Sequence, residues 1–432
     1  MRAEARAIWD AGVAAVEPAR CVREAIAAAP DRFRARRLIV VGGGKAGAAM
    51  AAGLEAALAD RLGDMTGVVN VPAGANGGTQ AIRLHVARPA GINEPTAAGV
   101  AGAEEMLRLV SQAAPDDCVV CLISGGGSAL LPAPAEGVSL EDKQAITRLL
   151  HRSGATIAEM NCVRKHLSRI KGGQLAALAP CPVVTLIISD VVGDPLDAIA
   201  SGPTAADSTT FADALAVLRR YGLLDAAPAG VRSRLEAGAA GRIPDTPKSL
   251  PPSVHNAICA NNARALSAAA ASASERGYRV VNLGAFIEGE TREVARAVVG
   301  VARSVAVDGQ PVPPPACLLI GGETTVTLPP NHGRGGRNME FVLAAILALP
   351  AAMDRCVVLS GGTDGEDGPT DAAGAIGDSS TLQRAQALGL DPADALRRHD
   401  AYPFFAATGD LLRTGLTQTN VMDLRVVLIG AR

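Results

Sequence analysis

Aromatic side chains are scarce in this chain of 432 residues: one Trp, three Tyr and six Phe, 2% of the total, against 48% hydrophobic residues. Any core must therefore be aliphatic and alanine-based. An excess of one charge is also lacking, since the formal net charge is −2 and no block of like charges occurs. That argues against nucleic acid or an anionic membrane surface as partner and leaves small molecules. No run of about 18 uncharged apolar residues is present, and Met1–Asp10 carries acids early with no apolar leader segment. The expectation is a soluble, cytoplasmic protein with no membrane partner, for which a homodimer is the assembly to allow for. Eight cysteines are thinly spread. Cys118 and Cys121 form a C-x-x-C, but within a strand they point to opposite faces, and no second pair lies at zinc spacing, so the cysteines read as small buried hydrophobes.

A chain this long holds two or three domains and needs no covalent staples. Short aliphatic runs alternate with helical periodicity. Strands are expected at Leu38–Val41, Gly67–Val71, Ile82–Ala87, Cys118–Ile123 and Pro182–Ile188. Helices are expected at Trp9–Ala29, Ala46–Leu62, Thr96–Ala113 and residues 140–160. After a Pro- and Gly-rich stretch at about 226–252 the pattern resumes with a strand at Val254–Ala260. A helix follows at Ala263–Arg276, then strands near Tyr278–Leu283, Ala316–Ile320, Thr324–Leu328, Cys356–Leu359 and Leu424–Ile429. The alternation predicts an α/β fold: two doubly wound three-layer α/β/α domains with mostly parallel sheets and an interdomain cleft, spanning residues 1–245 and 250–432.

In such sheets ligands sit off the carboxyl ends of strands. The loops there are of one kind: Gly42-Gly43-Gly44-Lys45-Ala46-Gly47, Ser124-Gly125-Gly126-Gly127-Ser128, Ser189-Asp190-Val-Val-Gly-Asp194, Gly321-Gly-Glu-Thr-Thr325 and Ser360-Gly-Gly-Thr-Asp364-Gly365. One glycine turn is ordinary; five together favour an anion-rich site, with Gly43, Gly44 and the Ser124–Ser128 loop offering backbone N–H groups and hydroxyls. The segment Asn161 to Gly173 adds Arg164, Lys165, His166, Arg169 and Lys171, part of which is expected to face a polyphosphate. Arg337, ahead of Asn338 at a helix start, can grip a carboxylate or phosphate bidentately. Asp190 is the preferred magnesium ligand, because that ion needs one or two carboxylates beside substrate phosphates; Asp364 and Asp367 read equally well as turn residues.

Covalent serine chemistry is disfavoured, since G-x-S-x-G does not occur at the serine loop. The first loop formally satisfies G-x-G-x-x-G, but a dinucleotide site also needs an acid at the end of the second strand, and that strand ends Val68-Val-Asn70-Val-Pro. Neither is it a Walker A loop. Lys45 instead suits phosphoryl transfer, where catalysis is mostly positioning and charge stabilisation.

Read together, Gly42–Gly47, Ser124–Ala129, Asn161…Val163-Arg-Lys-His-Leu-Ser168…Ile170-Lys-Gly-Gly173, Ser189–Asp194, Ser201-Gly-Pro-Thr204, Gly335-Gly-Arg-Asn338, Ser360–Gly365 and Gly368-Pro-Thr-Asp371 resemble the motifs of the glycerate 2-kinases with a C-terminal MOFRL domain. The match runs over nearly the whole chain, with the MOFRL region at about 315–430. The resemblance implies ATP- and Mg2+-dependent phosphorylation of D-glycerate at its 2-hydroxyl. It also carries importance onto Lys45 and Arg337. Members are often labelled hydroxypyruvate reductase, against which the missing ribose acid argues. Met339 departs from the family pattern, which has glutamine there. A reductase using NAD(P)H and a sensor of nucleotide or organic acid remain the rival readings.

Overall fold

The computed structural model describes residues 1–75, 77–89, 94–350 and 352–431. The chain divides into two compact units, residues 18–259 and residues 1–17 with 260–432.

In the first unit six strands form one sheet: β1 (Leu38–Gly43), β2 (Met65–Pro72), β3 (Ile82–Arg88), β4 (Cys118–Ile123), β5 (Val183–Ile188) and β6 (Val254–Ala260). Their order is β3-β2-β1-β4-β5-β6, and β1 to β5 pair in parallel. Strands β1, β4 and β5 are buried at every residue, which is why they read as unbroken aliphatic runs. Ile39, Val41, Val119, Cys121 and Ile123 pack on Met106 and Val110 of the helix Ala97–Ser111. A second cluster, including Ile146, Leu150, Val163, Phe211, Leu215 and Leu235, joins four helices whose apolar stripes face one another. Three of these helices open with a capping box, in which Ser139, Thr156 and Thr210 accept the N–H of the residue three on and an acid there returns the bond. Because the strand order reverses between β1 and β4, the ligand crevice of this sheet is expected off their carboxyl ends.

The second unit contains β7 (Arg279–Asn282), β8 (Ala316–Gly322), β9 (Cys356–Gly362), β10 (Gly374–Gly377), β11 (Leu411–Leu412) and β12 (Asp423–Ile429), ordered β11-β10-β9-β12-β8-β7. Strands β7 and β8 are parallel, while β12 is antiparallel to β8 and β9, and β10 to β9 and β11. Thus β7, β8, β9 and β11 share one direction. Side chains alternate between two faces as the strand period requires. Leu318, Ile320, Val358 and Val427 meet the helices Thr291–Asp308 and Arg337–Ala348, whereas Cys317, Leu319, Val357 and Val426 meet Arg2–Ala15 and Asn262–Glu275.

Several elements differ from the sequence reading. The single helix expected over Trp9–Ala29 is two, Arg2–Ala15 and Pro18–Ala28, because Pro18 cannot continue a helix but can begin one. The first of them buries Ala5, Ile8 and Trp9 in the second unit. The helix expected over 140–160 is also two, Leu140–Arg152 and Ile157–His166, parted at Gly154, whose φ is 74°. The irregular stretch 226–252 holds a helix, Ala229–Ala239, and the strand after it lies beside β5 in the first sheet instead of opening the second. Residues 324–328 form no strand; Thr325 makes only an isolated bridge to Glu290. All eight cysteines are free and buried, and burial pushes the Cys118 and Cys121 thiols up to about 12. No helix among the described residues is long and apolar enough to cross a membrane.

Candidate active site

At the carboxyl ends of β1 and β4 the first two glycine loops interlock. Lys45 N–H donates to Gly125 O (2.8 Å), Ala46 N–H to Ser124 Oγ (3.0 Å) and Gly44 N–H to Asn70 O (3.2 Å). A Cβ on Gly44 would fall 2.0 Å from Ser124 Oγ, so glycine is needed there for close approach of two backbones. Gly43, paired with Asn70 and Ile123, is likewise walled in by Leu131. The first loop therefore spends the Lys45 and Ala46 amides on the second loop and the Gly44 amide on β2, and Gly43, Gly44 and the Ser124 hydroxyl, all expected to hold ligand oxygens, are used to hold the backbone together. Gly127 packs against Ala200 and Gly43 O and bonds Ser124 O (3.1 Å).

What remains open is the middle of the second loop. The N–H groups of Gly125 and Gly126 make no bond to the protein among the described residues. The Lys45 side chain lies over Gly126: its Cγ is 3.4 Å from where a Cβ on Gly126 would stand, and Arg88 Nη2 is 3.3 Å from the same point. Two unbonded amides flanked by two cations suit an anion. Arg88 was not legible as a site residue, since it ends an ordinary strand. Asn70, where a dinucleotide site would place its acid, donates from Nδ2 to Gly99 O (3.0 Å) and Leu130 O (2.7 Å) and is fully buried. It pins the backbone and offers nothing to a ribose.

The segment 161–173 sorts its residues into two groups. Lys165 Nζ is buried between Asp197 (3.0 Å) and Asp207 (3.2 Å), and His166 is held by Cys162 O (2.7 Å) and Asp245 (2.9 Å). These are internal pairs, contrary to the ligand-facing place expected for Lys165. Lys171 Nζ instead donates to Ser128 O (3.0 Å), Ser128 Oγ (3.1 Å) and Ala200 O (3.3 Å), and Ser128 Oγ is 2.9 Å from Ser201 Oγ, which donates to Asn161 Oδ1 (3.0 Å). Ser128, Asn161 and Lys171 are thus brought together. Ala200 and Ser201 are both left-handed, φ 51° and 62°, a strain of about 1–3 kcal/mol each of the sort that collects at functional sites. Asp190 follows Ser189 directly off β5, next to β4, and is half-buried.

In the second unit the antiparallel β12 lies between β8 and β9, so its first residue, Asp423, pairs with Gly322 and Gly362 at the ends of both. Asp423 is fully buried and accepts from Arg337 Nε (2.7 Å), Asn338 Nδ2 (2.8 Å) and Arg425 Nη2 (2.8 Å). Burial works against its charge, but the two guanidinium groups outweigh that and hold it below the usual carboxylate range. Arg337 also reaches Glu323 (3.0 Å) and borders a cavity of about 390 Å³ with Thr324, Gly336 and Gly368. Asp367 accepts the N–H groups of Asn338 (3.0 Å) and Met339 (2.8 Å), capping the helix Arg337–Ala348; burial raises its carboxyl to about 7. Met339 itself is in the core, so no polar contact arises there. Asp364 Oδ1 accepts Glu366 N–H (3.1 Å), the turn role weighed for it. Asp423 and Arg425 escaped sequence reading because a charged pair at a strand start looks like an exposed edge.

Among the described residues no cluster of three or more His, Cys, Asp or Glu could hold a metal. A magnesium ion sharing its shell with phosphate oxygens asks for less, and a single carboxylate such as Asp190, just past β5, fits that chemistry.

Comparison with known proteins follows the same lines. The domain of unknown function DUF4147 matches residues 4–236 and the MOFRL family residues 316–423. The glycerate 2-kinase of Pyrococcus horikoshii is 37% identical over 97% of this chain and 95% of its own length. A protein of Agrobacterium vitis, named only provisionally as a hydroxypyruvate reductase, is 45% identical over 98% and 94%. The crystal structure of a glycerate kinase from Thermotoga maritima superposes with a TM-score of 0.88 at 37% identity, covering 99% of both chains. The chain belongs to the glycerate 2-kinase family with a C-terminal MOFRL domain.

Proposed function

We propose that this protein is a kinase that transfers the γ-phosphoryl group of ATP to the 2-hydroxyl of D-glycerate, giving 2-phosphoglycerate and ADP. The observation that carries the proposal is Lys45 lying over Gly126, beside two unbonded amides at the strand-order reversal, while Asn70 occupies the place of a ribose acid. Such a cradle favours polyphosphate and gives a nicotinamide dinucleotide no ribose partner. The named kinases among the relatives support the same reading.

In this reading the Gly125 and Gly126 N–H groups and Lys45 hold the phosphates, with Arg88 adding charge. Ser128, Asn161 and Lys171 build the wall next to them. The C2 oxygen attacks the γ-phosphorus, the bond to ADP breaks, and the hydroxyl proton passes to a carboxylate, for which Asp190 is the candidate. Magnesium, held by Asp190, would neutralise charge on the phosphate oxygens. Within the second unit Arg337, oriented by Asp423, presents a guanidinium suited to a carboxylate or phosphate oxygen.

Side-by-side assays decide the matter. ATP and D-glycerate should give ADP, while hydroxypyruvate with NADH or NADPH should leave the nucleotide reduced; oxidation of NAD(P)H without ADP formation would install the reductase. A sensor would bind and do neither.

A further inference from the structure

Lys143, on the helix Leu140–Arg152, was singled out by no motif, yet it and Lys171 are among the most deeply buried cations in the first unit, 6% and 2% exposed. Both line one narrow pocket with Arg164, Ser128 and Thr147. Lys143 Nζ donates to Leu167 O (2.8 Å), and Lys171 Nζ to Ser128 and Ala200 oxygens. None of the three cations has a carboxylate partner among the described residues. Their neighbours in sequence do: Lys165 pairs with Asp197 and Asp207, and Arg169 with Glu104. Cations gathered in a narrow, buried pocket without a counterion are unfavourable, and an arriving anion relieves that cost. Burial first, then Arg164 and Arg234, depress the Lys143 ammonium to about 7; burial, Arg164 and Lys143 hold Lys171 well below its usual value.

We propose that Lys143, Arg164, Lys171 and Ser128 form the pocket for the carboxylate of the acceptor and thereby select the hydroxyl next to it; the second half of this rests on the kinase reading. Two features favour a carboxylate over a phosphate. The pocket as it stands offers about 10 Å³, which is roughly one water-sized atom, so a flat carboxylate can insert one oxygen where a tetrahedral phosphate is too bulky. Ser128 also stands two residues from Gly126, so a carboxylate held at Ser128 places the α-hydroxyl nearer the phosphate cradle than a hydroxyl one carbon further on.

The test uses the full chain with two ligand sets. In steady-state kinetics Lys143→Met and Arg164→Met should raise KM for D-glycerate about 10- to 100-fold, the range expected for losing a charged hydrogen bond, with KM for ATP changed less than about twofold. Arg164→Lys should recover part of that loss. In calorimetry at pH 8, glycolate, which carries only the α-hydroxy acid group, should bind the wild type with proton uptake as Lys143 recovers its charge. Ethylene glycol should not bind, inorganic phosphate should bind more weakly than glycolate, and Lys143→Met should lose the uptake. Glycerate KM and glycolate affinity unchanged in both variants, or glycolate binding without proton uptake, overturns the pocket. Phosphorylation of glycerate with unchanged variant KM overturns the pocket alone. Glycolate binding with proton uptake in a protein that transfers no phosphate to glycerate supports the pocket and removes the kinase. Arg164, partly exposed, keeps the test valid should Lys143→Met fail to fold.

Discussion

Replacing Asp423 by Asn tests whether the charge network beneath Arg337 is held by one carboxylate. Asp423 accepts from Arg337, Asn338 and Arg425 at 2.7–2.8 Å with no exposure to water. Asn keeps the shape but removes the charge and turns an N–H toward a guanidinium. Arg425 suffers most: it is fully buried over the Phe341 ring at 5.0 Å, and its Nε and Nη1 have no hydrogen-bond partner. Leaving such a group without its counterion costs about 3–5 kcal/mol. For a unit of this size each kcal/mol lowers Tm by about 2–4 °C, so the second unit's transition in scanning calorimetry should fall by about 6–20 °C. The double variant Asp423→Asn/Arg425→Met, which removes both charges, should regain much of that loss. The pH dependence has a definite sign. Because the folded carboxyl is held below its unfolded value, the wild type keeps this stabilisation above about pH 4 and loses it as pH falls through the folded pKa, whereas Asp423→Asn has nothing to lose there. A Tm drop below about 2 °C, or a double variant no more stable than the single one, would refute the reasoning.

Three further substitutions separate scaffold from site. Gly44→Ala puts a methyl 2.0 Å from Ser124 Oγ and 2.7 Å from its carbonyl. It should cost more than about 3 kcal/mol in urea unfolding, with ATP turnover lost in whatever remains folded. Asn70→Asp, the change that would restore a ribose acid on paper, sets a carboxylate against two carbonyls; it should destabilise by about 2–5 kcal/mol and confer no NADH binding by fluorescence titration. Lys165→Met leaves Asp207 buried without its cation, so stability should drop by about 3–5 kcal/mol while KM for glycerate stays within about twofold.

The parallel core of the first unit was legible because strands buried on both faces must be continuously apolar and their connections must be helical. The second sheet was less so, since β10 (Gly374–Gly377) is short and half glycine and β11 (Leu411–Leu412) is only two residues long, so neither can carry a period. Lys45 and Arg337 stood out because a cation within a glycine loop has few structural reasons to be there. Ser124 and Gly44 were misassigned for the opposite reason: a glycine loop that cradles an anion and one that lets two backbones touch have the same composition, and only the hydrogen bonds of Lys45, Ala46 and Gly44 tell them apart. Lys143 sits on an amphipathic helix as a solvated lysine would, and only tertiary packing reveals that the helix buries it. Asp190 was legible only by its place, the second residue past a buried parallel strand, where a carboxylate can face a ligand.

The central claim is a phosphoryl transfer centred on Lys45, and the most direct measurement is phosphorus NMR of the product formed from ATP, Mg2+ and D-glycerate by the wild type and by Lys45→Ala. The account predicts 2-phosphoglycerate from the wild type and turnover lowered at least about 100-fold in a folded variant. 3-Phosphoglycerate as the product, no phosphorylated glycerate at all, or undiminished turnover in Lys45→Ala would contradict it.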